Sequence, residues 1–258
     1  MKLVVTTTQS KAGMNNLLDE FLAATNLDFA QREGRSIEQL QHDFDVDGVI
    51  VWHKEGPILY LGEQKFYFHP SMAKNRISMY RKFNTMDPLV KACAITGADK
   101  LLDCTLGLGA DAIVASYFNP DGQIIGLESS SPIAWLVKWG MKLYQSQMSW
   151  LDEAIHRIQV INDNHMDFLK SLPDAAFDIV YFDPMFRKPL LKSTALSPLR
   201  LIANHEPLTV ASIHEACRVA RKRVVVKELS GSLEFDRLGI QNFSGSPNNK
   251  ITYGVIEV

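Results

Sequence analysis

Between Lys100 and Lys227 five short apolar runs recur at a spacing that leaves room for a helix between successive runs, and this alternation constrains the fold most. The runs are Lys100 to Cys104, Gln123 to Glu128, Arg157 to Asn162, Phe177 to Phe182 and Arg223 to Lys227. Helical patterns fall between them at Ala110 to Phe118, Pro132 to Tyr144, His165 to Leu172 and Glu206 to Ala220. Strands separated by helices pair in parallel and are covered on both faces, which is why they read as nearly unbroken apolar stretches. The run Ile251 to Val258 alternates and follows a Ser-Gly-Ser-Pro-Asn-Asn turn, so it predicts an antiparallel strand closing one edge. The expected class is α/β, a Rossmann-like sheet with a C-terminal antiparallel strand.

Upstream, the pattern predicts a small N-terminal α+β domain of β-α-β-β-β form over residues 1–69, with strands at Leu3 to Thr7, Gly48 to Trp52, Ile58 to Leu61 and Lys65 to Phe68 and a helix at Asn15 to Ala24. A helical connector over 70–96 and a main domain over 97–258 complete the expected organisation. With 46% apolar residues the chain can bury a full core. A net charge of -2 and a pI near 6.4 give no general basic field, so any nucleic-acid contact must rest on a local patch. Cys93, Cys104 and Cys217 are odd in number, with no CxxC spacing and no histidine cluster nearby. They argue against a disulfide framework and a metal site, and for a reducing cytoplasm. No window of about eighteen apolar residues occurs, so neither a signal peptide nor a membrane span is expected.

The chemistry concentrates where the first apolar run ends, at Asp103-Cys104-Thr105-Leu106-Gly107-Leu108-Gly109-Ala110-Asp111. Gly107 and Gly109 let the backbone turn tightly against a ligand, and the helix that follows presents free N–H groups. The same spacing, with acidic Glu128 about twenty residues on, satisfies the dinucleotide fingerprint, so these glycines suit NAD and S-adenosylmethionine alike. Glu128 stands where a carboxylate accepts ribose hydroxyls. Asp163, Asn164 and His165 end the third strand at the height of an adenine ring. Asp103 is placed to meet the ammonium of a methionine moiety, and Asp111 either faces the ligand or complements the helix dipole.

Asp183-Pro184-Met185-Phe186 ends the fourth strand, where open parallel sheets place their ligands. The amine of a nucleobase has its lone pair delocalised into the ring and is a poor nucleophile until its hydrogens are held. The Asp183 carboxylate and the Pro184 carbonyl can accept both N–H groups, and Phe186 offers a stacking face. This tetrad and the added antiparallel strand favour a methyltransferase over a nicotinamide-dependent oxidoreductase, for which no Tyr-x-x-x-Lys site is present. A non-catalytic RNA-binding or ribosome-assembly factor on the same fold is the third reading. Arg187, Lys188, Lys192 and Arg200 follow the tetrad and, with the cluster Lys74, Arg76, Arg81 and Lys82, are candidate phosphate contacts. The run Arg218, Arg221, Lys222 and Arg223 is expected to be a solvated helix end at the far edge. Residues 187–205 are long for a patternless loop and suggest a substrate lid.

On these residues the chain resembles the RsmJ family, class I methyltransferases that modify the guanine N2 amine of small-subunit (16S) ribosomal RNA. The likeness runs from about Phe68 to the C-terminus. It is carried by Asp103-x-Thr105-x-Gly107-Leu108-Gly109-x-Asp111-Ala112, by Val180 to Phe186 and by Arg223-Val224-Val225-Val226-Lys227. The resemblance implies S-adenosylmethionine as cofactor, RNA or the small ribosomal subunit as partner, and cofactor contacts at Ala110, Asp111, Glu128, Ser129, Asn164, His165 and Asp183.

Overall fold

The computed structural model describes residues 1–8, 16–185, 201–245 and 249–258. Its first sheet contains β1 (Leu3–Thr7), β2 (Asp28–Phe29), β3 (Gly48–His53), β4 (Gly56–Leu61) and β5 (Gln64–Phe66), in the order β2-β1-β3-β4-β5. β1 is parallel to β2 and β3, and β3, β4 and β5 form an antiparallel meander. Two helices cover opposite faces. Leu18 and Phe21 of α1 (Asn16–Thr25) pack with Val5, Ile50 and Leu59, while Leu40 of α2 (Ile37–Phe44) packs with Val4, Val49 and Val51. Alternate residues of β1 and β3 therefore serve two cores, as the two-residue strand period requires.

The expected β-α-β-β-β form omits β2 and α2. β2 has two residues, and Leu40 is the one fully buried residue of α2, so neither leaves an apolar period to read. A capping box marks the start of α2 instead. The Ser36 hydroxyl accepts the Gln39 N–H at 3.1 Å and the Gln39 side-chain oxygen accepts the Ser36 N–H at 2.7 Å. The single connector helix is also two helices, α3 (Ser71–Phe83) and α4 (Pro88–Cys93). Asn84 closes α3 in the left-handed conformation at φ 52°, and Asp87, held extended by the proline after it, caps α4.

The second sheet has seven strands in the order β11-β12-β10-β9-β6-β7-β8. β6 (Lys100–Asp103), β7 (Gln123–Leu127), β8 (Ile158–Ile161), β9 (Phe177–Phe182) and β10 (Ala220–Leu229) are parallel, and β12 (Ile251–Glu257) is antiparallel to β10. The helices α5 (Ala110–Tyr117), α6 (Ser131–Leu143), α7 (Ser149–His156), α8 (His165–Ser171), α9 (Val210–Val219) and α10 (Glu234–Arg237) accompany them. The C-terminal strand was expected at the edge, but β11 (Asn242–Ser244) pairs on its outer side, so β12 is second from the edge. With three residues and no alternation, β11 gave no strand signal.

The chain runs from β6 outward to β7 and β8, then returns to place β9 on the other flank of β6. That reversal opens a crevice at the carboxyl ends of β6 and β9, the usual ligand position in such sheets. α6 joins the two sheets. Its Trp139 meets Phe21 and Trp52 with ring centroids 5.7 and 5.8 Å away, edge to face. Gly140 beside it lies against Phe68, whose Cβ occupies the space a side chain there would need.

Candidate active site

The loop from β6 to α5 is folded by hydrogen bonds to its neighbours. The Cys104 N–H donates to the Tyr181 carbonyl at 2.9 Å and the Leu106 N–H to the Leu127 carbonyl at 2.8 Å. Gly107 and Gly109 both take positive φ, 51° and 77°, and Gly109 is the N-cap of α5. A Cβ at Gly109 would displace only the flexible end of Met141, so it is the positive φ that reserves this position for glycine. Gly109 offers no side-chain cap, so the first N–H groups of α5, from Ala110 and Asp111 onward, are left to other acceptors.

Glu128 locks this loop to the next. Its two oxygens accept the Gly107 N–H at 3.0 Å and the Ser130 N–H at 2.8 Å, and burial pushes its carboxyl above the usual range against those donors. Beyond it lies a cavity of about 540 Å³ lined by Ser129, Ser130, Asn162, Asp163, Asn164 and the 202–206 segment. Its size and polar rim at the carboxyl ends of β7 and β8 fit an adenosine. The Asn164 oxygen caps α8 by accepting the Met166 N–H at 2.8 Å. The ring of His165 turns to the α9 side instead: its Nε2 lies 3.1 Å from the Ser212 hydroxyl, its edge meets Phe182, and burial lowers its pKa.

At the crevice itself a chain of charges runs through the fold. Arg76 of α3 grips Asp87 with two bonds of 2.8 Å and also holds Asp111. Asp111 accepts from the Tyr181 hydroxyl at 2.7 Å and from Lys227 of β10 at 2.8 Å, and Lys227 reaches Asp183 at 2.8 Å as well. The Asp183 N–H donates to the Thr105 hydroxyl, which fixes the backbone after β9. Burial opposes ionisation of Asp111, yet Lys227 and Arg76 hold its carboxyl well below the usual range. At Asp183 burial prevails over the pull of Lys227, and with Asp111 nearby the carboxyl is pushed up. Lys227 is itself raised, since its two carboxylates outweigh its burial.

Asp103 is 1% exposed, accepts the Thr105 N–H at 3.0 Å, and is pushed up to about 8 by burial and by Asp111 and Asp183. Its unfolded value is about 3.9, so between about 4 and about 8 the folded state holds a proton that the unfolded state has released. Stability is therefore lost as pH rises through that window. Asp103→Asn, which can still accept the Thr105 N–H, is expected to flatten the decline between pH 5 and pH 8 in urea unfolding; an unchanged slope would refute this assignment. Asp111 works in the opposite sense, its contribution being lost as pH falls below the usual carboxylate range.

The structure thus gathers Asp103, Gly107, Gly109, Ala110, Asp111, Glu128, Asp183 and Pro184 around one crevice, with Ser129 and Asn164 on the adjoining cavity. His165 is held on α9, and Phe186, Arg187, Lys188, Lys192 and Arg200 lie outside the described residues. Arg76, grouped above with surface phosphate contacts, is turned inward to Asp87 and Asp111. Lys74, Arg81 and Lys82 are exposed on α3, Arg81 over Trp150 at 5.1 Å and Lys82 over Phe83 at 4.9 Å. Lys227, Asp87, Thr105 and Tyr181 had no site role in the sequence reading, and Arg76 had a different one. A lysine directly after Val224-Val225-Val226 in a buried strand was the available signal, since a buried charge requires a partner.

The profile of a family of SAM-dependent methyltransferases matches residues 68–234. The uncharacterized protein YpiP of Bacillus subtilis is 34% identical over 233 residues, 90% of either chain. Ribosomal RNA small subunit methyltransferase J of Buchnera aphidicola is 32% identical over 136 residues, 50% of this chain and 52% of that one. Its Francisella tularensis subsp. novicida counterpart is 29% identical over 173 residues, 63% of this chain and 67% of the relative. The chain thus spans about half to two thirds of the length of these two methyltransferase J relatives. A crystal structure of a SAM-dependent methyltransferase from Neisseria gonorrhoeae shares the fold, with TM-score 0.68 at 18% identity over 99% of this chain and 96% of that one.

Proposed function

The chain belongs to this family of S-adenosylmethionine-dependent methyltransferases, and on that premise we propose that it methylates an exocyclic amine of an RNA base, the N2 of a guanine in small-subunit ribosomal RNA. Membership decides between the two cofactors the glycine turn left open. The observation that carries the finer reading is Asp183, tied through its N–H to Thr105 and through one oxygen to Lys227, at the mouth of the cofactor crevice.

The residues present fit the cofactor. At Gly107 a Cβ would enter open space, its nearest neighbour 4.0 Å away, so the bare glycine leaves room for a ligand; Glu128 and the Ser129–Asn164 cavity suit its ribose and adenine, and Asp103 would meet its ammonium on releasing the proton that burial holds on it. When bound, S-adenosylmethionine supplies a sulfonium-activated methyl group. Lys227 engages Asp183 Oδ2, so a substrate N–H would be accepted at Oδ1 and a second by the Pro184 carbonyl. Holding both hydrogens localises the nitrogen lone pair toward the methyl. The surplus proton of the methylated amine would pass to the Asp183 carboxylate, whose upward-shifted pKa makes it the better base. A guanine within a helix must be unpaired first, at a cost of a few kcal/mol.

The three cysteines, two of them buried and none paired, suit a reducing cytoplasm. No described helix is long and apolar enough to cross a membrane. The decisive experiment is transfer of labelled methyl from S-adenosylmethionine to small-subunit ribosomal RNA, followed by digestion and mass identification of the nucleoside. N2-methylguanosine is the expected product. A methylated adenosine would move the base, and no transfer to RNA would sink the reading.

A further inference from the structure

The first sheet has a crevice of its own. β1, β2 and β3 are parallel, and the chain passes from β1 to β2 on one flank and back to β3 on the other, with α1 and α2 on opposite faces. This is a second strand-order reversal, and ligands lie outside the carboxyl ends of parallel strands at such points. A cavity of about 760 Å³ is found there, lined among others by Thr8 after β1, Arg32 and Arg35 after β2, His53 at the end of β3, and Tyr60. Its volume is within the range of small-ligand sites and ample for one nucleotide.

Two of its groups await a partner. The Nε2 of His53 is buried with no hydrogen bond among the described residues, a costly state for a polar atom. Arg32 donates its Nε to the Arg35 carbonyl at 2.8 Å, while its terminal nitrogens make no hydrogen bond among the described residues. Arg35 differs, being engaged with the Gln31 carbonyl, Glu33 and Asp43. One uncompensated guanidinium thus stands beside an orphan ring nitrogen. Burial lowers the His53 pKa, Glu55 opposes this, and the charge of Arg32 adds to it. An anion would satisfy both groups, and the Tyr60 ring lies beside them.

We propose that this cleft binds one nucleotide of a single-stranded RNA segment, its phosphate held by Arg32 and the His53 Nε2, its sugar and base against Tyr60. The proposal rests on the reading that the substrate is RNA, and it assigns the first sheet to gripping the strand away from the methylated base. The test is fluorescence anisotropy of a labelled single-stranded RNA oligonucleotide on the full chain, with S-adenosylmethionine affinity measured in parallel. Arg32→Ala is expected to weaken RNA binding about tenfold or more. It should also lower the slope of log affinity against log salt by about 0.7, one phosphate contact on a single strand. S-adenosylmethionine affinity should not change. His53→Leu, which removes the donor without altering the charge of Arg32, should also weaken binding. Arg32 is partly exposed, so its variant carries the test even if His53→Leu does not fold. RNA binding by Arg32→Ala at wild-type affinity and salt slope would overturn the cleft while leaving the methyltransferase reading in place. A wild-type chain that takes UMP or inorganic phosphate as tightly as the oligonucleotide would overturn the RNA assignment. A wild type that neither binds nor methylates RNA would overturn both readings.

Discussion

Asp183→Ala is expected to reduce methyl transfer by about 10²–10³-fold, the usual effect of deleting one preorganised hydrogen-bonding group aimed at the reacting centre. Cofactor affinity should change little, because the glycine turn, Glu128 and the Ser129–Asn164 cavity are built without this side chain. Folding should survive too, since Lys227 keeps Asp111 as its partner. The informative comparison is therefore single-turnover transfer beside calorimetric titration with S-adenosylmethionine. Transfer at the wild-type rate would remove Asp183 from the chemistry. In the wild type, the upward-shifted carboxyl of Asp183 should place the acidic limb of the rate profile above the ordinary aspartate range, with the rate rising as the group ionises.

Lys227→Met should have the largest effect on stability. Lys227 is 18% exposed and the side chain of Asp111 is 8% exposed, so the carboxylates it joins are poorly hydrated. Taking away one partner of such a pair costs about 3–5 kcal/mol, and here it leaves Asp111 with Arg76 alone and Asp183 without its cation. Methionine nearly preserves the volume, which makes the loss electrostatic and not a cavity effect. Against a typical total of about 5–15 kcal/mol, that leaves little margin. The double variant Lys227→Met/Asp111→Asn removes one charge of each sign and should recover part of the loss, a coupling that urea unfolding can measure. A single variant within 1 kcal/mol of wild type would show that the lysine is not the partner these carboxylates need.

Much of the candidate site lay in local signals, because the crevice proposed for the cofactor is built from continuous segments. The turn at Gly107 and Gly109 follows an apolar strand, and Asp183 follows Phe177 to Phe182, whose limits the structure reproduces as β9. Both are features of one continuous segment. The charge chain was not legible in the same way, because its members come from α3, α5, β9 and β10, and their meeting depends on strand order. Arg76 was misread for this reason: on a helix with Lys74, Arg81 and Lys82 it shares their polarity, and only Asp87 and Asp111 in space turn it inward. The missing elements β2, α2, α10 and β11 were too short or too polar to produce a period, whereas α7 was missed although Leu151, Ala154 and Ile155 stand at helical spacing. The place of β12 inside the sheet followed from missing β11.

The inward turn of Arg76 bears on how this protein can be divided. A chain beginning near Asp99 would keep every glycine and carboxylate of the cofactor crevice but lose Arg76, stripping Asp111 of one of its two cations. It would also bare Trp139, whose cover comes from Phe21 and Trp52. The catalytic half is therefore not a portable module: transplanted or expressed alone it would carry a sticky aromatic scar and a loosened acid, and evolution could exchange the leading segment only for one that brings both replacements.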